Sequence, residues 1–121
     1  MSDLVAKAEA AAAQAYAPYS NYRVGAVVRA VDGREFAGVN VENAAYPLGV
    51  CAEKSAIVAA AVAGCRPGDL AAIGITASPC GGCRQWLHEW RIEEVSFRRE
   101  DGSIATWRAS ELLPETWNLP E

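Results

Sequence analysis

The sequence predicts an α/β protein, a three-layer α/β/α sandwich on a mixed central sheet of about five strands. Three observations carry that expectation. Two runs rich in β-branched and aromatic residues, Tyr22 to Ala30 and Glu35 to Val41, flank Asp32-Gly33, a strong hairpin turn signal. Leu70 to Ala77 is a continuous apolar run of the kind a central strand shows. A hairpin followed by helix, strand, helix and strand gives a mixed sheet covered by helices.

In chain order, Ser2 to about Tyr16 reads as a helix. Ser2 suits the N-cap, Asp3 the first turn, and Ala fills the interior. Leu4, Ala8, Ala11, Ala12 and Ala15 form a small-residue stripe suited to close packing on a sheet. Pro18 ends this helix, and Tyr19-Ser20-Asn21 is loop. After the hairpin, the polar, Pro/Gly-punctuated stretch from Glu42 to Gly49 is a loop that delivers the chain to Cys51. Ala52 to Ala63 is apolar nearly all round, so it reads as a buried helix with Gly64 as its C-cap. Beyond the central strand, Cys83 to Trp90 is a third helix and Glu94 to Arg99 a strand. Asp101-Gly102 is a turn, and Ile104 to Arg108 a last short strand before a tail with Pro114 and Pro120.

The 121 residues form one domain, 1–121, on the usual size prior, with no repeat or linker to divide them. The formal net charge of −4 and the scattered arginines exclude a polyanion-binding face, so a nucleic acid polymer is not an expected partner. A small, roughly neutral ligand fits this balance. Lys7 and Glu9 interrupt the Ala-rich opening, which is no secretory signal, and no segment has the roughly 18 apolar residues that cross a bilayer. A cytoplasmic, reducing location follows, where cysteines serve metals more than disulfides.

The chemistry concentrates in two stretches, Cys51-Ala52-Glu53 and Pro79-Cys80-Gly81-Gly82-Cys83-Arg84-Gln85. Residues three apart on a helical turn have Cβ atoms about 5–6 Å apart, so Cys80 and Cys83 can converge on one ion. Cys51 opens its own helix, and both half-sites are helix N-termini, where the dipole favours thiolate. Cys51, Cys80 and Cys83 as the only protein ligands to one Zn²⁺ leave an open position for water, as catalytic zinc sites do. Glu53, close by and not a ligand, is then the proton carrier. Three thiolates leave the site near −1, and Lys54 or Arg84 is expected to compensate along with the helix ends. Cys65 has no partner spacing and reads as an ordinary semi-buried cysteine; His88 reads as a surface residue, and Trp86 and Trp90 as core or interface.

A Cys-rich site with a non-ligand Glu and a Pro-Cys-x-x-Cys element is the pattern of zinc deaminases. The whole chain, from about residue 4 to residue 117, resembles the small cytidine deaminase family. The matching stretches are Pro18-Tyr19-Ser20, Val24-Gly25-Ala26, Gly38-Val39-Asn40-Val41-Glu42-Asn43-Ala44, Cys51-Ala52-Glu53 and Pro79-Cys80-Gly81-Gly82-Cys83-Arg84-Gln85. The resemblance implies zinc-dependent hydrolytic deamination of cytidine and deoxycytidine to uridine and deoxyuridine in pyrimidine salvage, with attack at C4 by zinc-activated hydroxide and Glu53 shuttling protons. It implies that Asn40 and Glu42 hold the ribose 3′-hydroxyl, and that Tyr22 and Ala52 line the base pocket. It also implies a homotetramer in which Tyr46 and Trp117 serve an adjacent subunit's pocket. Three positions depart from the family's usual residues: Tyr22 and Trp117 stand where Phe is common, and Lys54 where Arg is common.

Other readings stay open. A deaminase of a modified cytidine or nucleoside antibiotic shares the zinc chemistry, with Tyr22, Lys54 and Trp117 near the pocket. A polynucleotide deaminase would need a basic track this chain lacks. A non-enzymatic zinc module would complete the metal with His88 or a fourth thiol and leave Glu53 without a role.

Overall fold

The computed structural model describes residues 2–119, and Ser2 by its backbone alone. Its elements run α1 (Ser2–Ala11), β1 (Gly25–Ala30), β2 (Glu35–Val39), α2 (Ala52–Val62), β3 (Leu70–Ile75), α3 (Gly81–Glu89), β4 (Glu94–Arg98), β5 (Ile104–Trp107) and α4 (Ala109–Leu112), with short 3₁₀ turns at Ala12–Gln14 and Tyr46–Leu48. The expected Ser2 cap and Pro120 lie outside the described residues. The five strands form one sheet in the order β2-β1-β3-β4-β5. Only β3 and β4 are parallel; the other pairs are antiparallel.

Strand alternation assigns the two faces. Val27 and Ala72 pack with Leu4 and Ala8 of α1 on one side. Ala26, Val28, Ile73, Ile75, Val95 and Phe97 point the other way, into a larger core with Ala56 and Ile57 of α2, Leu87 of α3 and Leu112 of α4. A single helix covers one face and three cover the other. No described helix is long and apolar enough to cross a membrane.

The helices sit close because glycines remove side chains at the contacts. A Cβ on Gly74 would overlap Leu4 of α1, and one on Gly38 would overlap the backbone of Ala52 and Ala56 in α2. Gly38 therefore sets the seat of the helix that carries Cys51 at its N-cap and Glu53 in its first turn. Gly38→Ala is expected to cost at least about 1–3 kcal/mol by overpacking. Urea unfolding would show this as a lower midpoint at unchanged slope.

Several boundaries differ from the sequence expectation. α1 ends at Ala11 rather than near Tyr16, because Tyr16 is drawn into a bridge with Val41: its N–H donates to the Asn40 carbonyl at 3.1 Å, and its own carbonyl accepts from Glu42 N–H at 2.8 Å. β1 begins at Gly25, not Tyr22, since the Val24 N–H donates to the Asn40 side chain instead of to a neighbouring strand. α3 begins at Gly81, with Cys80 as its N-cap. α4 was not expected; it is four residues long, closed by the Glu111 carboxylate accepting from Arg108 N–H at 2.9 Å. Cys65 is more deeply buried than expected, at 2% exposure.

Candidate active site

Two helix N-termini on the same side of the sheet meet at the site. Cys51 is the N-cap of α2 and Cys80 the N-cap of α3, while Cys83 lies fully buried in the first turn of α3. Cys51 makes no cap bond to its own helix, and the Cys80 sulfur faces the N–H groups of Gly82 and Cys83 at the start of α3. The three Sγ atoms lie within 4.8 Å of one another, the one such group of three or more ligand atoms among the described residues. Tetrahedral zinc holds its sulfurs roughly 3.8 Å apart, so a small contraction would close this set on the ion. Soft thiols on helix starts suit zinc in kind as well as in spacing.

Without a metal, two of the three thiols resist ionisation. Burial pushes Cys51 and Cys83 up, and for both the Glu53 carboxylate adds to the rise. Burial also acts on Cys80, but N–H groups of Cys83 and Gly82 and the neighbouring thiols outweigh it and hold Cys80 below its ordinary value. A cation is the missing positive charge, and its binding must release protons at neutral pH.

Glu53, two residues beyond Cys51, is buried, with 4% of its surface exposed. Burial raises its carboxyl above the ordinary value, with its own backbone N–H, the Cys83 thiol and Lys54 pulling the other way. Glu53 and two of the cysteines, Cys51 and Cys80, line an open cavity of about 340 Å³. Tyr22, Asn40, Glu42, Tyr46, Ala52 and Ser78 line the same cavity. Cys83, fully buried, is not among the residues that line it.

Asn40 and Glu42 are held in place by the loop that faces them. The Asn40 Oδ1 accepts from Val24 N–H at 2.8 Å, and its Nδ2 donates to the Tyr22 carbonyl at 2.8 Å. Glu42 Oε1 accepts from Tyr19 N–H at 2.9 Å and Ser20 N–H at 3.1 Å, and Oε2 accepts from the Ser20 hydroxyl. These bonds hold the Glu42 carboxyl below its usual range, so it stays an acceptor at neutral pH. Asn40 keeps one Nδ2 hydrogen for a ligand, and Glu42 keeps spare lone pairs. Tyr22 and Tyr46 are well exposed at the cavity's rim, and Tyr46 meets Tyr19 edge-on at 6.4 Å.

Three residues singled out in the sequence, Lys54, Arg84 and Trp117, do not line this cavity. The Lys54 ammonium sits 6.0 Å from the Trp86 ring centre. The Arg84 guanidinium is spent on the Pro79 and Leu112 carbonyls and the Ser78 hydroxyl, not on a sulfur. The helix starts are thus the positive ends that the structure points at the thiols. Trp117 lies on the flank of α3, its carbonyl accepting from Gln85 Nε2 at 3.2 Å and its ring exposed. His88 is tied to the tail through Thr116 and Asn118, each at 3.0 Å, away from the cysteines. Sequence reasoning passed over Ser20 and Ser78 as site residues: Ser20 stands 22 positions from Glu42, and no spacing rule links them.

Three cysteines that could hold one metal ion, with a buried carboxylate in the first turn of the helix that Cys51 caps, match the class of centre zinc-dependent deaminases use. A family model described as the cytidine and deoxycytidylate deaminase zinc-binding region matches residues 1–99, and the chain belongs to that family. The chain is similar to a cytidine deaminase of Sporosarcina psychrophila, 41% identical over 119 residues that span 92% of this chain and 86% of that one. A cytidine deaminase of Mycobacterium tuberculosis is 39% identical over 115 residues, 92% of this chain and 84% of the relative. The crystal structure of a cytidine deaminase from Burkholderia pseudomallei superposes with a TM-score of 0.89 at 41% identity, covering 96% of this chain and 98% of that one.

Proposed function

We propose that this chain, as one catalytic domain, hydrolyses cytidine and deoxycytidine to uridine and deoxyuridine plus ammonia. The observation that carries the reading is Glu53, largely buried, lining one cavity with Cys51 and Cys80 of the cysteine group and with the polar pair Asn40 and Glu42. Cys51, Cys80 and Cys83 hold one zinc per chain; when bound, it supplies the acidity that makes water a nucleophile near neutral pH.

The reaction forms one bond from C4 of the base to a water oxygen and breaks the bond from C4 to the exocyclic nitrogen. Glu53 takes a proton from the attacking water, passes it to the ring nitrogen N3, and carries the second proton to the departing ammonia. A carboxyl whose burial raises its proton affinity suits both directions of this traffic. Asn40 and Glu42 hold the ribose 3′-hydroxyl, Tyr22 lies against the base, and Ala52 lines the pocket next to it. Trp117, exposed on one subunit, serves the cavity of a neighbour in a homotetramer, and Tyr46, given the same role, also lines the cavity of its own chain. The setting is cytoplasmic pyrimidine salvage.

The test is ultraviolet loss of cytidine and deoxycytidine by wild type and Glu53→Ala, with zinc measured in both. The reading predicts activity in wild type only, with one zinc per chain in each. Zinc-loaded wild type inert on both nucleosides would move the assignment to modified cytidines. Glu42→Gln removes the charge that accepts the ribose hydroxyl and is expected to raise KM about 10-fold with a smaller effect on kcat, the worth of one charge-assisted hydrogen bond.

A further inference from the structure

Arg84 follows Cys83 in the first turn of α3, and its guanidinium ties three parts of the chain together. Nε donates to the Pro79 carbonyl at 2.9 Å, Nη1 to the Leu112 carbonyl at 3.1 Å, and Nη2 to the Ser78 hydroxyl at 3.3 Å. Pro79 directly precedes Cys80, Ser78 lines the cavity, and Leu112 is the last residue of α4. From this geometry we infer that Arg84 is a positioning residue for the metal centre, a strut that fixes where the Cys80 sulfur points.

Cys80 is the ligand most in need of one. Cys83 is locked in the interior, whereas Cys80 is exposed at the end of an irregular stretch between β3 and α3. Pro79 has no N–H, so its carbonyl is the one backbone hydrogen-bonding group that residue offers, and it goes to Arg84. Leu112 gives the strut its far end, one of the carbonyls a helix C-terminus leaves without an internal partner. That contact assigns a use to the four-residue α4: it backs Arg84 against the core, where Ala109 and Leu112 are buried. A planar fork reaches three acceptors lying in different directions; the compact ammonium of a lysine does not.

The inference rests on the three cysteines holding zinc, and not on the identity of the nucleoside. Zinc-loaded wild type, Arg84→Ala, Arg84→Lys and Ser78→Ala are mixed with a chelating dye, and transfer of the metal is timed. Melting of each metal-free chain is followed alongside. Arg84→Ala is expected to release zinc about 10–100-fold faster, the usual cost of losing a group that orients a metal ligand, with its metal-free melt still cooperative. Arg84→Lys is expected to release it nearly as fast, and Ser78→Ala about threefold faster than wild type. If Arg84→Ala does not fold, Arg84→Lys and Ser78→Ala decide the matter. Wild-type release from Arg84→Ala, or full restoration by Arg84→Lys, would overturn the strut, the latter by showing that charge alone suffices. A wild-type chain that takes up no zinc would instead overturn the metal reading on which it stands.

Discussion

Glu53→Gln is expected to lower kcat for cytidine by about 10²–10⁴-fold while zinc content stays at the wild-type level. The amide keeps the volume and polarity of a side chain that is buried in the first turn of α2, so the helix and Cys51 hold their places. What it removes is the exchangeable proton. Loss confined to kcat, with KM near wild type, marks an interaction made at the transition state. The same substitution has a signature in the metal-free protein. Burial raises the folded-state carboxyl above its ordinary 4.5. Between pH 4.5 and that raised value the folded chain keeps a proton that the unfolded chain has released. Its contribution to stability is therefore present in full below about pH 4.5 and is lost as pH rises through the folded value. Urea titrations of metal-free wild type at stepped pH should show this decline, and Glu53→Gln should flatten it.

Cys83→Ala is expected to abolish zinc binding at micromolar metal, a loss of more than about 100-fold, since even groups that only orient a ligand cost 10–100-fold. Cys83 is completely buried and behaves in the metal-free chain as a small apolar side chain. Its removal should therefore cost the metal-free fold only about 1 kcal/mol. The two effects separate in a melting experiment with and without zinc. Wild type gains about 2.7 kcal/mol when free metal stands 100-fold above Kd, and Cys83→Ala gains nothing. Equal stabilisation of both chains would place the metal elsewhere.

Much of this could be read from residue order, because local and tertiary forces agree over most of the chain. The apolar run from Leu70 forms the central strand, and the Asp32-Gly33 turn forms with Gly33 at φ 96°. Cys51 and Cys80 open helices, as their spacing from Glu53 and Cys83 suggested. The differences arise where long-range contacts override local preference. The Ala run after Ala11 has every local reason to stay helical, yet Tyr16 leaves it to pair with Val41. Arg84 illustrates the limit more sharply. Adjacency to Cys83 suggested a charge for the thiolates, but the partners it takes include Leu112, 28 positions away, in a helix too short to announce itself. Trp117, which the resemblance assigns to a neighbouring subunit's pocket, lies on the flank of α3 and is not part of its own chain's cavity.

The three clustered cysteines are separated by the central strand itself: Cys51 precedes β3, and Cys80 and Cys83 follow it. The site cannot be assembled by any short hairpin. It exists only once β3 has paired with β1 and α2 and α3 have both docked on the same face. Stabilising contacts that the folding transition state does not yet contain slows escape from the native state rather than hastening arrival there. Metal at this position would act chiefly on the lifetime of the folded molecule, and supply of zinc would govern how long each copy survives rather than how quickly it is made.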